Sequence, residues 1–256
     1  YSDCSAEGGF APAMYLFAAQ LDKPSLLWTE RPKLEAFLAE SHSAEGQGNR
    51  IFPMLLVWAQ PLEGISPPAE THWKGEGRTP VAMHRSGWNE DATFVAVKGG
   101  SPGANHAHMD VGTFVMDAAG VRWSVDLGAQ SYHDLESQGI TLWDSGQDGQ
   151  RWEVFRLSNL SHNVLVVDDK RQHVAGHAPL VGYTDQGPMP HTIVELSPVY
   201  EGQLAAAKRG VGLRDDDSVL IQDEIETLDR ETSVRWGMVT RADVEIRDAQ
   251  TAVLSQ

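Results

Sequence analysis

The sequence predicts a mainly β protein, a large antiparallel β-sandwich preceded by a few α-helices. Three observations carry this. Residues 10 to 60 space their apolar side chains as helices do, and residues beyond about 68 form short Val-, Thr- and aromatic-rich runs between Gly/Asp turns. Between the two textures, "EGISPPAETHWKGEG" breaks the pattern with two prolines and three glycines. The expected division is a helical segment over 1–66 and a sandwich over 67–256.

In the helical segment, "FAPAMYLFAAQ" places Met14, Phe17, Ala18 and Leu21 near one face, and "PKLEAFLAES" does the same with Leu34, Phe37 and Leu38. Pro32 sits where a first helical turn tolerates it, and Pro24 separates the two stretches. "IFPMLLVWAQP" is expected to be a third helix. In the second segment the expected strands are "TPVAMHR", "ATFVAVKGG", "GTFVMDAAGVRWSVDLG", "HNVLVVDD", "HTIVELSPVY", "AAAKRGVGLRDDDSVLIQDEIET" and "TSVRWGMVT", with hairpin turns at "MDAAGVRW" and "RDDDSVLI".

Bulk composition narrows function. The 256 residues are 41% hydrophobic and 22% charged, and no apolar run approaches the roughly 20 residues of a membrane span. A formal net charge of -16 argues against nucleic-acid or anionic-membrane partners, which need clustered Lys and Arg to meet phosphate. The single cysteine, Cys4, excludes an internal disulfide. The opening "YSDCSAEGG" carries neither an initiator Met nor a signal peptide, so the chain is expected to be a piece of a longer protein.

The residues with chemistry cluster in "GANHAHMDVGTF", residues 103–114, where Asn105, His106, His108 and Asp110 fall within six positions. In an extended chain His106, His108 and Asp110 would project to one side. Asp126 ends the strand "GVRWSVDLG", and His162 opens "HNVLVVDD". A His-x-His pair joined by a distant Asp and a distant His can supply the nitrogen and oxygen ligands that zinc requires. Arg151 and Arg156 stand out in an acidic chain, either as structural ion pairs or as anion contacts. Tryptophans such as Trp143 suit packing or stacking against sugar rings.

Together "KGGSPGANHAHMDVGTFVMDAAGVRWSVDLGAQSY" and "QRWEVFRLSNLSHNVLVVDD" resemble the C-terminal β domain of the heparinase II/III family of polysaccharide lyases. The order Asn-His-x-His-x-Asp, then Asp-x-Gly, then Ser-His-Asn carries the resemblance. It implies that the helical segment is the end of that family's α/α toroid, whose earlier helices lie upstream. It implies a structural zinc on His108, Asp126 and His162, with Asp110 supporting a ligand from behind, and Asn105 and His106 facing an acidic polysaccharide or oligosaccharide. Tyr132, Trp143 and Arg151 are weaker candidates for substrate contact. The implied reaction is β-elimination from a uronic-acid sugar by a secreted or periplasmic enzyme, with a toroid tyrosine completing proton transfer and the isolated chain inactive. Two other classes fit the residues: a cupin-like mononuclear metal oxygenase, and a non-catalytic glycan-binding sandwich stapled by zinc.

Facing the sugar with both Asn105 and His106 conflicts with strand alternation, which turns neighbours to opposite faces. The resemblance therefore requires an irregular loop at "SPGA".

Overall fold

The structure is a computed structural model that describes residues 1–4, 9–40, 51–59 and 64–256. It forms two compact units, Tyr1–Ala6 with Thr71–Gln256, and Glu7–Glu70. The extreme N-terminal residues thus belong with the β-rich unit and not with the helices that follow them.

In the helical unit, α1 (Ala13–Gln20), α2 (Glu30–Glu40) and the single turn α3 (Leu55–Trp58) surround a small core of Tyr15, Ala18, Leu27 and Leu55. The buried face of α1 is Tyr15 and Ala18, while Phe17 and Leu21 are exposed. The apolar stripe read from the sequence is therefore wider than the face that the described residues cover. Buried Glu30 accepts from the backbone N–H of Ala11 at 2.8 Å and from Lys33 at 2.9 Å, which ties α2 to the lead-in of α1. The expected "IFPMLLVWAQP" helix is a 3-10 turn running into α3, and its last residues lie outside the described ones. No helix among the described residues is long and apolar enough to cross a membrane.

The β-rich unit contains two main antiparallel sheets. The first has five strands in sequence order: β1 (His72–Gly75), β2 (Val81–Arg85), β3 (Phe94–Lys98), β4 (Phe114–Ala118) and β5 (Val121–Ser124). After β6 (Leu165–Val167) comes the second sheet, ordered β10-β9-β8-β7, from β7 (Leu180–Thr184), β8 (His191–Glu195), β9 (Leu204–Leu213) and β10 (Val219–Thr227). β11 (Val234–Trp236) pairs with β6, and β12 (Asp243–Ile246) with β13 (Ala252–Ser255). Strand alternation explains the layering: β2 and β8 bury every second residue, so Ala82 and His84 face inward from one sheet and Thr192 and Val194 from the other. Val95, Val97, Leu165, Val167, Ala207 and Val211 complete the apolar layer. The β4–β5 hairpin turns on Ala119 and Gly120, both at positive φ (52° and 73°), as a tight primed turn demands.

His84 is a polar member of this layer. It is fully buried, with Nε2 2.9 Å from Thr192 Oγ1 and Nδ1 3.2 Å from Nδ1 of His72. Burial, then the neighbouring His72 and His191, lower its pKa to about 4. The sign follows directly: the unfolded chain takes up this proton near pH 6.5, whereas the folded chain resists it until about 4. Stability is thus intact above 6.5 and falls as the pH drops through that window, by about 3 kcal/mol in total. Denaturant melts of the chain and of His84→Gln between pH 7 and 4 check this. The variant should show the flatter profile, and parallel profiles would refute the assignment.

Candidate functional site

The loop between β3 and β4 carries the Asn-His-x-His-x-Asp run, and it is irregular as the family resemblance required. His106 holds a left-handed backbone (φ 58°), a conformation that non-glycine residues adopt only when their surroundings enforce it. The consequence is a split. Asn105 and His106 are exposed, whereas Ala107, His108, Met109 and Asp110 are buried. The one-sided projection expected of an extended chain does not occur, because no strand hydrogen bonding imposes alternation here.

Several buried groups hold the loop from beneath. Arg151 donates to the carbonyls of Ala107 (2.9 Å) and Leu142 (3.4 Å), the Leu157 carbonyl accepts from the Met109 N–H (2.9 Å), and Gln172 bonds both the N–H and the carbonyl of Val111. Arg151 is itself buried, so its guanidinium braces the histidine loop instead of reaching solvent. Arg156 likewise caps carbonyls, those of Leu127 and Ala129.

His108, Asp110 and His162 converge. One potential ligand atom from each lies within 4.8 Å of the others, and all three residues are buried. Among the described residues, His108 Nδ1 and His162 Nε2 have no hydrogen-bond partner. Unpaired buried polar atoms are rare, and two imidazole nitrogens beside a carboxylate form a donor set suited to a zinc-class cation. Burial lowers the pKa of His108 despite the pull of Asp110 and Asp3, favouring the neutral, ligating imidazole. Burial would raise Asp110, but the ammonium of Lys98, joined by His162 and His108, holds its carboxyl below the usual value. Lys98 bonds Asp110 Oδ1, and Ser2 donates to Oδ2 through its N–H (3.2 Å) and hydroxyl (3.1 Å).

The two aspartates stand differently from expectation. Asp110 is the carboxylate grouped with the two imidazoles, while Asp126 lies behind His162, with Oδ2 3.2 Å from its Nδ1. Burial opposes ionisation of Asp126, yet the His162 hydrogen bond and charge pull its pKa down to about 2. Its other oxygen accepts from the N–H of Gly128, whose φ of 63° permits the tight turn and explains the Asp-x-Gly spacing. A carboxylate on Nδ1 fixes the imidazole so that Nε2 carries the free lone pair.

The Ser-His-Asn motif acquires a reason as well. Asn163, fully buried, donates to the carbonyls of Phe114 (2.6 Å) and Val125 (2.9 Å) and accepts from the Val239 N–H (2.5 Å). It clips the His162 segment to the start of β4 and to the approach of Asp126. His162 itself precedes β6 by three residues and does not open the strand.

Above the buried cluster lies an aromatic group. Tyr132 begins the short helix α4 (Tyr132–Ser137), capped by Ser131, and stacks parallel to His106 (centroids 5.9 Å, 5°). Trp143, half exposed, meets both rings edge-on at 5.6 and 5.2 Å. His106 Nδ1 lies 2.7 Å from the Tyr132 hydroxyl. That hydroxyl donates to Asp3, whose other oxygen lies 3.0 Å from His108 Nε2. Asp3, Lys98 and Ser2 are members of the site that sequence reasoning missed.

Residues 76–255 match the heparinase II/III-like, C-terminal family. The chain belongs to this family. Its fold is similar to two solved lyase structures. One is the heparinase III BT4657 gene product (19% identity, TM-score 0.56, covering 96% of this chain and 32% of that one). The other is a mutant of the heparan sulfate lyase HepC from Pedobacter heparinus (15%, 0.55, 95% and 42%). This heparinase II/III-like chain therefore spans less than half of either solved chain, 32% and 42%. Sequence comparison with the curated proteins finds no match.

Proposed function

We propose that this heparinase II/III-like chain is the sandwich portion of a polysaccharide lyase that cleaves uronic-acid glycans by β-elimination. The observation that carries the reading is the division of the His-x-His pair: His106 exposed beside Asn105, Tyr132 and Trp143, and His108 buried against Asp110 and His162. In such a reaction the C5 proton is feebly acidic until the adjacent carboxylate is neutralised, and the exposed amide of Asn105 would donate to it. His106, with Nδ1 engaged by Tyr132, keeps Nε2 to take or give the proton. The C5–H bond breaks toward the base, the C4–O bond breaks with its electron pair on oxygen, and an acid returns a proton to that oxygen. Trp143 offers an exposed ring for a sugar face.

His108, Asp110 and His162 would hold a zinc ion, with Asp126 orienting His162. Such an ion supplies charge that fixes the root of the catalytic loop. The helical unit is read as the end of a toroid, and the exposure of Phe17, Leu21, Leu56 and Val57 fits apolar surface that further helices would cover. Further toroid helices in a longer, secreted or periplasmic protein would supply the second proton-transfer group, so this chain alone is expected to be inactive.

Assaying that longer protein on uronate polymers for 4,5-unsaturated products tests the reading. Asn105→Ala should reduce kcat about 10²- to 10³-fold. Hydrolytic products without unsaturation would overturn the proposal.

A further inference from the structure

The geometry points to Asp3 as a positioning residue that sets the tautomers of both His106 and His108. Asp3 comes from the N-terminal turn that belongs with the β-rich unit, 105 positions from His108 and 129 from Tyr132. Its side chain is 14% exposed and bridges the exposed and buried halves of the site. Oδ1 lies 3.0 Å from His108 Nε2, and Oδ2 accepts the Tyr132 hydroxyl and lies 3.3 Å from His106 Nδ1. Arg151 stands behind it at 3.9 Å.

Donor and acceptor arithmetic fixes the rest. A carboxylate only accepts, so His108 must carry its proton on Nε2, leaving the lone pair on Nδ1. Nδ1 is the atom that, among the described residues, is buried without a partner beside Asp110 and His162. In the other direction, the Tyr132 O–H is spent on Asp3, so its oxygen can only accept from His106, whose Nδ1 must carry the proton. His106 is then left with its lone pair on Nε2. One carboxylate therefore gives two neighbouring histidines opposite tautomers, each with the lone pair on the nitrogen its role needs. The functional meaning rests on the lyase reading, but the tautomers themselves do not.

The test uses the chain labelled with ¹⁵N-histidine, without metal, at a pH where the spectra show both imidazoles neutral. Long-range ¹H–¹⁵N correlations should show a single Nδ1–H tautomer for His106 and a single Nε2–H tautomer for His108. In Asp3→Leu both should become mixtures, and zinc added to that variant should bind about 10- to 100-fold more weakly than to the parent chain. Asp3→Asn keeps the shape but turns one oxygen into a donor, so it must release at least one histidine even if Asp3→Leu fails to fold. Cys4→Ser, an exposed neighbour, should change nothing. Mixed tautomers in the parent chain, or fixed tautomers surviving in both Asp3 variants, would overturn the inference. Failure of the parent chain to bind zinc, with its tautomers fixed and released as described, would refute the metal reading and leave Asp3's role standing.

Discussion

Replacing Lys98 with methionine is expected to destabilise the β-rich unit by about 3–5 kcal/mol. Lys98 and Asp110 are 1% and 0% exposed, and they form an ion pair beneath the histidine loop. Methionine keeps most of the aliphatic stem, so the loss would come from the charge: Asp110 would lose its ammonium partner in the interior and keep the neutral donors of Ser2 and the neighbouring imidazoles of His108 and His162. Adding Asp110→Asn to the Lys98 variant should recover a large part of the loss, because the double change removes the unpaired charge itself. Urea melts of the four proteins decide the matter. A loss below about 1 kcal/mol for Lys98→Met would mean that water or rearrangement screens the carboxylate.

Arg209→Leu should be as damaging. Arg209 is fully buried on β9 and donates to both oxygens of Asp223 (2.7 and 2.8 Å), to the Gly112 carbonyl (2.8 Å) and to the Asn163 carbonyl (2.6 Å). The variant strands a mostly buried carboxylate and two carbonyls, again about 3–5 kcal/mol. Two of those carbonyls belong to residues near Asp110 and next to His162, so zinc affinity should fall with stability. Arg209→Lys should rescue little, since a single ammonium cannot reproduce the forked geometry. Full stability in that variant would show that charge alone matters at this position.

These two residues mark what the sequence hides. Strands such as β2 and β8 are legible because alternate residues are buried against one core, and the β4–β5 turn because Ala-Gly precedes a new alternating run. Buried Lys98 and Arg209 look like any surface cation in a strand, since their partners lie 12 and 14 residues away across folded structure. β1 and β7 went unread: one is a mostly exposed "HWKG", and the other carries a bulge at Gly182. The chain from Gln150 to Ser161 folds as three short 3-10 turns with no periodicity to detect.

The candidate site was legible as a set of residues more than as an arrangement. Asn105, His106, His108, Asp110, Asp126 and His162 were all singled out, because their types and order carry the family resemblance. Which aspartate sits with the imidazoles depends on where the loop turns, and that is decided by Arg151, Gln172 and Lys98 from beneath. Asp3 left no local signal at all. Only the folded chain brings it between the two histidines.

The most direct measurement is zinc content alongside unsaturated-product formation in the longer protein, compared for His106→Ala and His108→Ala. His106→Ala should retain one zinc per chain and lose about 10²- to 10⁴-fold in turnover, whereas His108→Ala should lose the zinc. Full turnover in His106→Ala, or zinc retained in His108→Ala, would contradict the division of labour between the two histidines.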